Sequence, residues 1–198
     1  MNRRYTLLLI LTILLLTRSV QAQIDISNYF GQGQITLKDG TVLQDSMQYY
    51  LTSPDKIYMI EKETDERTEF RAADIKDFTL NHRQYFPIST RTGKIFAMLL
   101  TEVKGKFKVY VCEIQSAISG AALQKEYFVL AQGDNVAYKL TGPKYTPSKK
   151  LADLVSDCPE LSQKIKNKED NYTYPKKATD ADRIEVLLKV AKDYQKCQ

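Results

Sequence analysis

The sequence predicts an α+β fold, a predominantly antiparallel β-sheet roll or barrel followed by a small C-terminal helical part. Short runs rich in β-branched and aromatic residues, separated by turn residues, recur over residues 33–140, as is typical of antiparallel sheets. The composition changes at residue 141, where Gly142-Pro143 interrupts the chain and apolar residues then recur with helical spacing. We therefore expect a β-rich domain over residues 23–140 and a helical segment over residues 141–198 that packs on it.

Residues 1–22 have the organisation of a secretory signal peptide. Arg4 precedes an apolar run from Leu7 to Leu16, and Val20-Gln21-Ala22 ends in a small residue of the kind found at cleavage sites. An uncleaved membrane anchor is the alternative, but the uncharged run that ends before Arg18 is short for a span of about 20 residues. We expect export to the periplasm or the cell surface, with no transmembrane span after cleavage.

Removal of this signal peptide lowers the net charge of the chain. The whole sequence has 29 basic and 24 acidic residues, for a net charge of +5. The signal peptide holds three of those 29 bases and no acid, so 26 bases remain and the net charge falls to +2. A nucleic-acid-binding surface needs clustered surplus positive charge, so the composition does not favour a nucleic-acid partner.

The first β-hairpin is predicted at ITLKDGTVLQD, residues 35–45, where Asp39-Gly40 separates two arms that contain apolar residues. A two-residue loop there would pair Leu37 with Val42. The next strands are predicted, in order, at KIYMIEK, TEFR, DIKDFTL and QYFPI, with Phe70, Ile75 and Phe78 facing the core. This half of the β-rich domain therefore reads as a series of short antiparallel strands.

A second group of strands is predicted at KIFAMLLTEV, FKVYVCEI, EYFVLAQ and NVAYKL. Lys104-Gly105-Lys106 and Gly133-Asp134-Asn135 supply turns between paired arms. The small and polar segment QSAISGAALQK, residues 115–125, is predicted as a loop, with a short helix as the alternative.

Three helical patterns follow in the C-terminal segment. Leu151, Leu154 and Val155 share one face of the first, and Pro159 falls in the first turn of the second, where its missing N–H costs nothing. Thr179 is the candidate N-cap of the third. The apolar stripe of that last helix consists of Ile184, Leu187, Leu188, Ala191 and Tyr194.

The cysteines Cys112, Cys158 and Cys197 do not have the paired spacing of a zinc site. Cys158 opens one helical pattern and Cys197 closes another, so their ends meet if the two helices run antiparallel. A Cys158–Cys197 disulfide is therefore predicted. The alternative is that all three are reduced, partly buried thiols that act as small apolar residues.

Catalytic, metal and cofactor motifs are not found in the sequence. His82 is the single histidine, it falls in a predicted turn, and no serine lies in a GxSxG segment. Asp180 and Asp182 lie at the start of a helix, where acids interact favourably with the helix dipole. No nucleotide-binding glycine motif occurs. We expect no catalytic residue, no metal and no cofactor.

Tyrosine is the unusual component of the composition, with 13 residues against no tryptophan. Tyrosine combines a large apolar ring with a polar tip, which suits interfaces. Tyr49 and Tyr50 are adjacent and must point to opposite faces of a strand. Together with Tyr58 they are the candidate ligand or partner surface, with ordinary sheet packing as the alternative.

GQITLKDGTVLQDSM, RAADIKDFTL followed by Tyr85, and LADLVSDCPELSQKI together resemble uncharacterised exported proteins of Bacteroidetes. The resemblance implies a location in the cell envelope and supplies no catalytic residues. We expect a non-enzymatic exported protein that acts as a binding or interaction module for another envelope protein. The alternatives are a small-ligand carrier with a β-barrel cavity and a hydrolase with an unrecognised site.

Overall fold

A computed structural model describes residues 28–115, 122–140, 147–169, 171–175 and 177–197. The predicted signal peptide and most of the loop predicted at 115–125 lie outside these residues. Within the described ranges the chain forms ten strands: Asn28–Leu37 (β1), Val42–Tyr50 (β2), Lys56–Ile60 (β3), Arg67–Arg71 (β4), Ile75–Leu80 (β5), Arg83–Thr90 (β6), Gly93–Val103 (β7), Phe107–Ile114 (β8), Gln124–Ala131 (β9) and Tyr138–Lys139 (β10).

The strands form one sheet in the order β10-β9-β8-β7-β6-β5-β1-β2-β3-β4. Every pair of neighbours is antiparallel, which confirms the predicted sheet type. Strand β1 lies between β2 and β5, so the chain returns from β4 to the other side of β1. The described strands end at β10 and at β4, so this sheet is open and does not form a closed barrel.

The first hairpin has a longer loop than the sequence predicts. Thr36 pairs with Val42, and the Leu37 N–H donates to the Thr41 carbonyl at 2.8 Å. Three residues therefore form the loop, and the predicted pairing of Leu37 with Val42 is wrong by one position. Gly40 has a φ of +91°, and a loop of this length commonly ends with glycine in the left-handed region.

An aromatic cluster fills the interior between β2 and the strands β5 to β7. The Phe78 ring lies 4.5 Å from Tyr85 and 4.8 Å from Phe96, measured between ring centroids. The Phe96 N–H also donates to the Pro54 carbonyl at 2.7 Å, which joins β7 to the loop before β3. This part of the interior is therefore packed with side chains, among them Phe78 and Phe96, which are both 0% exposed.

The described residues of the C-terminal segment form three α-helices, Pro147–Leu154 (α1), Pro159–Lys166 (α2) and Asp180–Tyr194 (α3), and a 3₁₀ turn at Gln195–Cys197. Pro159 lies in the first turn of α2, as predicted. Thr179 caps α3. Its hydroxyl accepts from the Asp182 N–H, and the Asp182 carboxylate accepts from the Thr179 N–H, so the two residues form a capping box. None of the described helices is long and apolar enough to cross a membrane.

The helices pack on one part of the sheet through a common apolar core. One hydrophobic cluster contains residues of β7, β8 and β9 and of all three helices, among them Val109, Leu151, Ile165 and Leu187. The structure joins Cys158, just before α2, to Cys197, just after α3, by a disulfide with 5.9 Å between the Cα atoms. The turn that follows α3 is therefore held against the start of α2.

Candidate functional site

The outward-facing side of strands β1 to β4, here called the outer face, carries a row of side chains that crosses all four strands. Phe30 pairs with Gln48, Gln48 with Tyr58, and Tyr58 with Glu69. Residues that pair across antiparallel strands project from the same side of the sheet. The Phe30 side chain is 59% exposed, so the row begins with an aromatic ring in solvent.

Two tyrosines form the centre of the outer face. The rings of Tyr50 and Tyr58 meet edge to face with centroids 5.7 Å apart. The Tyr58 hydroxyl donates to Glu69 at 3.1 Å, and Arg67 donates to the Tyr50 hydroxyl at 3.3 Å. Desolvation and the neighbouring Glu69 carboxylate raise the pKa of Tyr58. Both rings are therefore held in one orientation while remaining partly exposed.

Charged side chains of β3 and β4 border these rings. Glu69 accepts from Arg71 at 2.8 Å and from Lys56 at 3.2 Å, and these bonds lower the pKa of the Glu69 carboxyl. Exposed ion pairs of this kind add little stability. With Arg67 on the same side, the border has three positive groups and one negative group, so its surplus charge is positive.

Tyr49 is not part of this surface, which corrects the sequence-based prediction. Its side chain is 1% exposed, and its ring contacts Phe78, Tyr85 and Phe96 in the interior. Burial raises the pKa of Tyr49 well above its ordinary value. The sequence establishes that Tyr49 and Tyr50 face opposite ways, and the interior contacts of β2 decide which one is exposed.

The Tyr49→Phe substitution is expected to leave the protein equally stable or to stabilise it by up to about 1 kcal/mol. The Tyr49 hydroxyl is buried and has no hydrogen-bond partner among the described residues, so its removal relieves a desolvation cost. Urea unfolding followed by circular dichroism measures the change. A loss of more than about 1 kcal/mol would show that the hydroxyl is bonded in the folded protein.

A buried carboxylate on β8 forms a second polar cluster that sequence patterns do not reveal. The Glu113 side chain is 8% exposed and lies 3.1 Å from Arg83 and 3.6 Å from Lys125. The Tyr29 hydroxyl donates to it at 2.6 Å, and burial followed by this bond raises the pKa of Tyr29. Strands β1 and β8 are not neighbours in the sheet, so the cluster links its two halves.

Cys112 and His82 lie in different environments, one buried and the other exposed. Cys112 is buried, and burial raises the pKa of its thiol to about 12, which disfavours the reactive thiolate. His82 lies in the exposed turn between β5 and β6 with a φ of +65°. Within the described ranges, no three His, Cys, Asp or Glu side chains are grouped to hold a metal ion.

A shallow groove of about 260 Å³ lies at the turns that join β7 to β8 and β9 to β10, and includes Lys106 and Leu130 in its lining. It is remote in sequence from the tyrosines of the outer face. No protein family, curated protein or solved structure matches this chain. The outer face, with its exposed rings and positive border, is the best-defined candidate site.

Proposed function

We propose that this chain is an exported, non-enzymatic binding module of the cell envelope that binds another envelope protein through the outer face. The supporting observation is that Phe30, Tyr50 and Tyr58 lie on one side of the sheet and are bordered by arginines. Aromatic residues and arginine are enriched in protein interfaces and dominate their binding energy. Their hydrogen bonds and ring contacts pre-organise them, which lowers the entropy lost on binding.

Two features support the proposed location. Residues 1–22 have the charged, apolar and small-residue regions of a signal peptide. The Cys158–Cys197 disulfide suits an oxidising compartment, since cytosolic thiols are usually kept reduced. Export to the periplasm or the cell surface accounts for both features.

The proposed binding surface is tested by affinity capture from crosslinked native cells, with the tag after the last residue. Replacement of Phe30, Tyr50 and Tyr58 by alanine is expected to reduce recovery of the partner by about thirtyfold or more, as for the loss of an interface hot spot. Leu188→Ala is the matched control, because Leu188 is also a partly exposed apolar side chain, 38% exposed, but lies on α3.

Unfolding curves of the triple variant establish that it is folded before capture is compared. Equal recovery of the partner by the triple variant and the unmodified chain would contradict the proposed surface. Equal loss in the triple variant and in Leu188→Ala would place the interface elsewhere.

A further inference from the structure

Strand β4 is the last strand of the sheet, and its hydrogen-bond ladder shows which of its backbone groups are used. The Ala72 N–H donates to the Asp55 carbonyl at 2.8 Å, and the Glu61 N–H donates to the Glu66 carbonyl at 3.0 Å. These two residue pairs flank the β3–β4 ladder and agree with its register. In an antiparallel ladder, bonded pairs alternate with non-bonded pairs, so residues 68 and 70 bond to β3.

The alternate residues of β4 direct their backbone N–H and C=O groups away from β3. They are Arg67, Glu69 and Arg71, and no strand among the described residues lies on their far side. The Arg71 carbonyl accepts from the Asp74 N–H at 2.9 Å. The open groups are therefore the N–H and C=O of Arg67 and Glu69 and the N–H of Arg71. No proline interrupts β4, and its register with β3 runs without a shift. An unpaired edge of this kind is a template for a further strand.

The side chains of the same three residues define what can pair there. Glu69 already accepts from Lys56, Tyr58 and Arg71, so the charge left for a partner is positive. A second copy paired antiparallel about Glu69 would bring Glu69 against Glu69 and Arg67 against Arg71. Like charges placed opposite each other destabilise strand pairs, so the pattern disfavours self-association and favours acidic residues opposite the arginines.

We propose that β4 is a strand-addition site for an extended segment of the partner protein that carries acidic residues opposite Arg67 and Arg71. The added strand hydrogen-bonds to the open edge, and its alternate side chains extend the outer face beyond Glu69, the residue that pairs with Tyr58. This mode of recognition takes its affinity from main-chain bonds and its specificity from alternate side chains. The inference rests on the proposed function, because it names how the partner reaches that face.

The test uses the full chain, isotopically labelled and purified after export through its own signal peptide, with short capped peptides as probes. A peptide with the core Glu-Val-Lys-Val-Glu is expected to shift the amide resonances of Arg67, Glu69 and Arg71 and to slow their exchange with solvent. The charge-inverted core Lys-Val-Glu-Val-Lys is expected to bind about tenfold more weakly, because all three opposed charge pairs become repulsive.

N-methylation of the peptide distinguishes strand pairing from simple charge attraction. Methyl groups on the alternate amides that face β4 should abolish binding, while methyl groups on the remaining amides should be tolerated. Binding that is insensitive to methylation, failure to shift the β4 amides, or pairing of β4 with a second copy would each overturn strand addition. Dependence of cellular capture on Tyr50 and Tyr58 despite such a result would leave the proposed function standing.

Discussion

Cys197→Ser is expected to lower the free energy of unfolding by about 4 kcal/mol. The Cys158–Cys197 bridge links residues 39 positions apart, and a cross-link across a loop of that length removes about 4 kcal/mol of chain entropy from the unfolded state. The helical segment should lose most of this stability, because the bridge joins the start of α2 to the end of α3. Urea unfolding of the oxidised, purified chain, followed by circular dichroism at the helical signal, measures it.

Reductant provides the internal control for this prediction. Reduction of the unmodified chain should lower its unfolding midpoint to that of Cys197→Ser, and the variant itself should not respond to reductant. Cys112 is a free thiol in the structure, so it offers no second bridge to reduce. Unfolding curves that coincide with and without reductant would contradict a stabilising disulfide.

The disulfide makes the stability of the helical segment depend on the redox state of the compartment in which the protein folds. Near the bridge, Asp157 accepts from Lys106 at 2.8 Å and from Tyr194 at 2.7 Å, and these bonds lower the pKa of the Asp157 carboxyl. Such partly exposed polar contacts stabilise a fold by about 1 kcal/mol or less each. A chain folded in a reducing compartment would therefore lose the larger part of this local stabilisation.

Local signals account for what the sequence correctly predicts. Pro159 and Thr179 mark helix starts because a missing N–H and a capping hydroxyl act within one turn. The signal for the Asp39-Gly40 hairpin is also local. Asp-Gly occurs in both two- and three-residue loops, however, so the sequence does not determine the register of the hairpin. The insertion of β1 between β2 and β5 depends on contacts between distant segments, which single-strand patterns do not encode.

The candidate site, too, contains some residues that the sequence identifies and others that only the fold brings together. Tyr50 and Tyr58 are recognisable as strand tyrosines, but their shared face depends on the β2–β3 register. Phe30 and Arg67 join them only through cross-strand pairing, and no motif marks either residue. Glu113 is hidden within the apolar run KFKVYVCEI, and its partners come from three other strands.

Phe78→Ala is expected to lower the free energy of unfolding by about 4 kcal/mol, whereas Phe30→Ala should change it by less than about 0.5 kcal/mol. Both substitutions remove a phenyl ring, one from the interior and the other from the surface. Phe78 is 0% exposed and Phe30 is 59% exposed, so only the first leaves a cavity in the interior cluster. Urea unfolding of both variants beside the unmodified chain measures the difference.

The pair of variants also separates folding from binding. Phe30→Ala should retain normal stability and weaken partner capture, because its ring is available to a partner and contributes little to the core. Equal destabilisation by Phe78→Ala and Phe30→Ala would show that both sides of β1 and β5 are covered. The outer face would then not be accessible to a partner. A stable Phe30→Ala variant with weakened capture would assign the exposed ring to recognition, because its loss would affect binding and leave stability unchanged.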